Sequence, residues 1–103
     1  MKYSFWIHII ILLLLPVFCT GQNEIDSLEN LLPKAKKTEK LVIFNQLSTS
    51  YLRNSPGKSI EYAHSALDLS KKLDNKKNEA LALKNLGDAY YYKNNFFDAK
   101  KFY

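Results

Sequence analysis

The 103-residue chain is poor in the residues that punctuate, staple or catalyse, with 1 Cys, 3 Gly, 3 Pro and 1 Trp. So little Gly and Pro argues against a collagen-like repeat, a disordered low-complexity chain and a turn-rich β-sandwich. Arginine is as scarce, since Arg53 is the single one and the formal +5 charge comes mainly from lysine. The lysines are scattered as Lys34, Lys36 and Lys37, then Lys71, Lys72, Lys76 and Lys77, then Lys100 and Lys101. That spread describes solvated helix ends and turns, not the contiguous basic stripe of a nucleic-acid interface, and no nucleic-acid partner is expected. What remains is 47% hydrophobic and 24% charged, an ordinary globular balance long enough for one small domain. A helical protein is the leading expectation.

The longest apolar run is at the front. Lys2 precedes Phe5 to Phe18, a stretch broken only by His8 and Pro16. A spanning helix needs roughly 20 apolar residues, so this run is short for an anchor and suits the h-region of a secretory signal peptide. Residues 1–21 are therefore expected to be a leader cut after Gly21, with Cys19 and Gly21 as the small pair and Gln22 as the new first residue. An uncleaved anchor and a lipid on Cys19 compete with this reading, although Phe18 is bulky for a lipidation motif. Cleavage would remove Cys19 and His8, leaving no disulfide and no thiolate metal site, and would lower the formal charge by Lys2 alone. The expected location is outside the cytoplasm, periplasmic or membrane-associated and facing the periplasm.

Beyond the leader the chain repeats itself. At a shift of 39 residues, Leu41, Phe44, Leu47, Ser48 and Tyr51 fall on Ala80, Leu83, Leu86, Gly87 and Tyr90. Intervals of three, three, one and three place each set on one stripe of an α-helix, with Ser48 or Gly87 where another helix can come close. Strand-like alternation is lacking in both segments. A second helix begins at Ser55-Pro56 and carries Ile60, Ala63, Ala66, Leu67, Ser70 and Leu73 at spacings of three and four, with Lys71 and Lys72 against its C-terminal dipole. Asn23 to Leu32 has a short apolar face of Ile25, Leu28, Leu31 and Leu32, closed by Pro33. The spacing predicts helices near 24–32, 39–53, 56–73, 79–93 and 96 to the end, with Thr38 and Asn78 at two of the starts.

Ala80-x-x-Leu83-x-x-Leu86-Gly87-x-x-Tyr90, followed by Phe96-x-x-Ala99-x-x-x-Tyr103, resembles the tetratricopeptide repeat, a helix-turn-helix unit of 34 residues. The earlier copy matches at Leu47, Tyr51 and Ala66, has Ser48 in place of glycine and Pro56 in place of the turn aromatic, and contains a longer second helix. The resemblance implies an all-α solenoid of antiparallel helix pairs, incomplete at the C-terminus. Its parts are a signal peptide at 1–21, a leading helix and linker at 22–37, a long-helix repeat at 38–78 and a truncated repeat at 79–103. Packing positions would be Phe44, Leu47, Ser48, Tyr51, Ala66, Leu83, Leu86, Gly87, Tyr90, Phe96, Ala99 and Tyr103. Stacked repeats need neighbours, so Phe96, Ala99, Phe102 and Tyr103 are expected to lack a partner, as in the front of a longer protein.

In such proteins the first helix of each repeat lines a concave groove. By position the resemblance assigns Val42, Asn45, Thr49, Leu52 and Arg53 to it from one repeat, and Leu81, Lys84, Asp88, Tyr91 and Tyr92 from the next. A mixed polar and aromatic face suits a peptide or amphipathic helix. Against that stands a plain alternative, that Lys84 and Asp88 merely pair along their helix for ~0.3 to 0.5 kcal/mol. The carboxylate clamp of some family members is not expected, because Asp88 stands where an asparagine is needed. His64 with Asp68 offers two ligands, too few for zinc, and no phosphate loop or Ser-His-Asp set can be assembled. No enzyme activity, cofactor or metal is expected. The expected function is non-catalytic protein–protein interaction through the groove, with a protein or peptide partner and with membrane attachment limited to an uncleaved leader or a downstream segment. The rival expectation, also from resemblance, is the extracytoplasmic input region of a membrane-bound histidine kinase or transcription regulator; a periplasmic scaffold is the third.

Overall fold

The computed structural model describes residues 23–103, with the side chain of Phe96 set aside. The expected leader at 1–21, with its cut site and Cys19, lies outside the described residues, as does the side-chain role assigned to Phe96. Within them the chain is helical throughout, with no strand. Helix α1 covers 23–31 and passes through a 3-10 turn at Leu32–Lys34. The remaining helices are α2 (Lys37–Tyr51), α3 (Pro56–Lys72), α4 (Lys76–Tyr92) and α5 (Phe96–Phe102). Short turns make successive helices antiparallel, and contacts follow chain order from α2 to α3, α4 and α5, with α2 also touching α4.

Local chemistry explains the boundaries, including those that differ from expectation. Helix α2 starts at Lys37, not Thr38, because Lys36 is extended and its N–H is accepted by the Glu39 carboxylate at 3.4 Å. Helix α4 starts at Lys76, ahead of Asn78, because the Asn75 side chain accepts the Asn78 N–H at 3.1 Å. Pro56 does open α3, although the Ser55 hydroxyl makes no cap bond. Two turns share one design. Asp74 (φ 52°) and Asn94 (φ 63°) adopt the left-handed conformation, and the N–H groups that follow close the preceding helices: Asn75 to the Ser70 carbonyl at 2.8 Å and Asn95 to the Tyr90 carbonyl at 2.9 Å. These are Schellman closures, and in each the asparagine that completes one helix caps the next.

The core has two parts. Leu41, Ala63, Ala66, Leu67, Ala82 and Leu86 join α2, α3 and α4, with Phe44, Ile60, Leu83, Tyr90 and Phe102 around them. Four fully buried alanines, Ala63, Ala66, Ala82 and Ala89, allow α3 and α4 to approach closely. Ile25 of α1 joins Ile43 and Leu47 of α2 in the second part, flanked by Tyr51 and Tyr62. Ala80 departs from the repeat stripe: its counterpart Leu41 is buried, whereas Ala80 is exposed. Among the described residues α5 meets α4 at Gly87 and Tyr90, whereas the longer α3 helps cover Leu41. Conversely, Ala99 is buried and Phe102 stacks on Tyr90 at 5.4 Å, so these two residues do find partners within the chain.

Candidate functional site

Helices α2 and α4 lie side by side, and their outer stripes carry most of the assigned groove residues. Val42 and Leu81 are 45% and 41% exposed, large apolar residues left uncovered on adjacent helices. Both line an open depression of about 320 Å³ together with Glu24, Gln46, Thr49 and Asn78. Farther along the same face of α4 come Lys84, Asp88, Tyr91 and Tyr92, at the three- and four-residue spacings that keep side chains on one stripe. Tyr91 and Tyr92 are 55% and 44% exposed, and their rings meet edge to face at 6.2 Å. Arg53 is exposed and Leu52 half-buried at the end of α2. The structure thus brings Val42, Asn45, Thr49 and Leu81 into one depression, and leaves Lys84, Asp88, Tyr91 and Tyr92 outside its lining, farther along α4.

Asn45 also lines this depression, as part of its floor. It is 2% exposed and forms the joint between α2 and α4. Its Nδ2 donates to the Asn78 carbonyl and Oδ1, both at 3.3 Å, while Asn85 Nδ2 donates to Asn45 Oδ1 at 3.2 Å. Helical phase alone places Asn45 near Val42 and Thr49; burial follows from two asparagines 33 and 40 residues away. Gln46, absent from the expected set, takes the exposed place beside Val42 and Thr49. Its spacing of four and three to those residues was the available signal.

The charges of the face are largely satisfied within the chain. Lys84 and Asp88 form an ion pair at 3.0 Å along α4, as the plain alternative supposed. Asp88 also accepts from the Tyr103 hydroxyl, which holds that phenol's pKa up at about 12 because ionisation would break the bond and oppose two negative charges. Tyr103 itself is 70% exposed, a departure from its expected place in the packing. Phe102, three residues after buried Ala99, takes the inward position. The Tyr103 ring instead lies across Gly87, where a Cβ would come within 2.8 Å of it. In the first helix pair the equivalent close approach is polar: Ser48 Oγ donates to the Ser59 carbonyl at 2.9 Å and Ser59 Oγ to the Ser48 carbonyl at 2.6 Å.

A second titratable cluster fastens α1 to the array. Tyr51 and Tyr62 stack at 5.8 Å, and both hydroxyls donate to Glu29 Oε1. The bond to Glu29 raises the Tyr51 pKa to about 12, with desolvation adding to it. Tyr62 is raised mainly by burial. Both phenols keep their protons well above neutrality, and the cluster reads as a structural clasp. His64 is exposed, its ring edge-on to Phe102 at 6.3 Å. Among the described residues no group of three or more His, Cys, Asp or Glu side chains is placed to hold a metal ion, and no helix is long and apolar enough to cross a membrane. Comparison with family models, curated proteins and solved structures finds no match to this chain.

Proposed function

We propose that the chain is a non-catalytic interaction module, an exported solenoid of the tetratricopeptide type that binds a peptide or amphipathic helix along the α2–α4 face. The observation that carries this reading is the gathering of Val42, Leu81, Tyr91 and Tyr92, four exposed large apolar residues, on the outer stripes of those two helices. Exposed aromatics beside small polar groups favour protein contacts, because their rings bury large areas with little loss of side-chain freedom. Gln46, Thr49 and Asn78 add donors and acceptors for a peptide backbone in the depression. The repeat-like reading is supported by two copies of one spacing pattern, by antiparallel packing of the helices and by the Schellman-asparagine turns.

Peptide display against the full chain, followed by affinity measurement of the selected sequences, tests the proposal. Selected peptides are expected to share apolar anchors at helical or alternate spacing. Leu81→Asp and Tyr91→Ala should each weaken them at least about tenfold, the loss of one well-buried anchor, with the circular dichroism spectrum unchanged. Peptides insensitive to both substitutions would refute the assignment of this face.

A further inference from the structure

Lysines that lie apart along the chain are drawn together by the helix packing. Asn45, eight residues into α2, bonds both Asn78 and Asn85, two and nine residues into α4, so these parallel helices start within about one turn of each other. Helix α3 runs the opposite way and ends beside them, with three residues between its end and the start of α4. One end of the array therefore carries Lys36, Lys37 and Lys40 from the start of α2 and Lys71 and Lys72 from the end of α3. Lys76 and Lys77 from the start of α4 complete it, and all are exposed except half-buried Lys40. Three acids stand among them. The Glu39 carboxylate accepts the Lys36 N–H, and Asp74 and Glu79 both lie against Lys76, at 3.5 and 3.6 Å. Among the described residues the other six lysines of this end make no ion pair. At the opposite end, in 24–26, 53–61 and 93–98, four acids meet three bases. Helix dipoles make the lysine end unfavourable to the chain alone. The positive ends of α2 and α4 both lie there, a place where acids stabilise and Lys37, Lys40, Lys76 and Lys77 do the reverse.

We propose that this lysine end is a docking surface for a bilayer that carries anionic lipid headgroups, whose charge offsets the repulsion. Its shape and composition favour a lipid surface over a nucleic acid. Three helix ends side by side, about 8–10 Å between axes, form a broad face and not a stripe. Lysine ammonium groups act as hydrated point charges that attract headgroup phosphates without a fixed geometry. Arginine, suited to bidentate phosphate contacts, is present only as Arg53 at the far end. Neither 36–40 nor 71–79 holds an aromatic ring on which a base could stack. Leu31, 52% exposed where α1 meets the 3-10 turn at this same end, is an apolar residue that a bilayer buries and a polyphosphate leaves in water. None of these lysines lines the α2–α4 depression, so docking leaves that face open.

Flotation of the full chain with vesicles tests the proposal. Binding to phosphatidylcholine vesicles containing phosphatidylglycerol is expected to exceed binding to phosphatidylcholine alone by at least about a hundredfold, and to fall steeply between about 0.05 M and about 0.5 M salt. Lys36→Gln with Lys37→Gln should weaken the anionic binding about thirtyfold, and Lys71→Gln with Lys72→Gln should do the same from a different helix. Glutamine is a good helix former, so the circular dichroism spectrum should not change. Lys100→Gln with Lys101→Gln removes an equal charge from α5, whose end lies over Gly87, eleven residues along α4 from Lys76. That pair should change binding less than about threefold, being more than a Debye length from the face. Equal loss from all three pairs would make net charge the cause and overturn the proposal. Equal binding to neutral and anionic vesicles overturns it too, and assigns attachment to the apolar run Phe5 to Phe18. Retention on a duplex oligonucleotide or on polyglutamate that depends on the same lysines, without a preference for anionic vesicles, gives the face to another polyanion and rejects the bilayer. No substituted residue belongs to the peptide-binding face, so failure here leaves that test independent.

Discussion

Asparagine at position 45 shows how one side chain can hold two helices in register. A buried amide costs stability unless its donors and acceptors are all met, and Asn45 meets them through Asn78 and Asn85. Asn45→Ala should therefore destabilise the fold by about 1–3 kcal/mol, chiefly because buried Asn85 loses its side-chain partner and keeps only the 3.4 Å bond to the main-chain carbonyl of residue 45. In a double-mutant cycle by urea denaturation, Asn45→Ala with Asn85→Ala should cost less than the sum of the two, by about 0.5–3 kcal/mol. Strict additivity would mean that the pair does not interact. The Tyr51–Glu29 bond makes a pH prediction of definite sign. Tyr51 holds its proton to about pH 12 in the folded chain, against about 10 when unfolded. Its stabilising contribution is complete below pH 10 and is lost as pH rises through 12. Glu29→Gln should return Tyr51 toward ordinary phenol titration, followed by phenolate absorbance. Tyr51→Phe should flatten the alkaline loss of stability that the Tyr51 proton causes.

At the scale of elements, the turns at Asp74-Asn75 and Asn94-Asn95 decide where three helices begin and end. In both, a non-glycine residue sits at positive φ while the following asparagine serves two helices. Asn75→Ala and Asn95→Ala remove only the side-chain cap, because the Schellman bonds come from the backbone. Each should cost about 1 kcal/mol. Asp74→Val should cost about 1–2 kcal/mol for a different reason, the crowding of a β-branched residue in the left-handed region. Thermal melts of the three variants would show whether cap and backbone contributions separate in this way. The α2–α3 turn, four residues long and without positive φ, lacks this device and depends on Pro56 and the Ser48–Ser59 exchange instead.

For the whole molecule, contacts follow chain order, so damage should spread unevenly. Leu86 lies in the cluster that joins α2, α3 and α4, and Leu86→Ala should lower global stability by about 2–5 kcal/mol. Ile25 fastens α1 at one edge. Ile25→Ala should speed amide hydrogen exchange across 23–31 while leaving the protected amides of α3 and α4 nearly unchanged. Equal loss of protection everywhere would show that α1 belongs to one cooperative unit with the rest.

Helix content and most boundaries were legible because they are local. Spacings of three and four, Pro56, and the Asp-Asn and Asn-Asn pairs act within one or two turns of chain, and the repeat stripe from Phe44 to Tyr51 follows from the same periodicity. The groove was legible only as a stripe. Periodicity names the residues on one side of a helix, but it cannot say which of them another helix will cover. For that reason periodicity does not show that Asn45 is buried beneath the depression it lines, that Phe102 takes the inward place beside Tyr103, or that Ala80 stays exposed. The Tyr51–Tyr62–Glu29 clasp had no sequence signal at all, since its members lie 11 to 33 residues apart on three helices. Short-range backbone and side-chain preferences, then, determined the elements from the sequence itself; the angle and register at which helices meet, set by burial across long separations, decided what lies inside and what faces a partner.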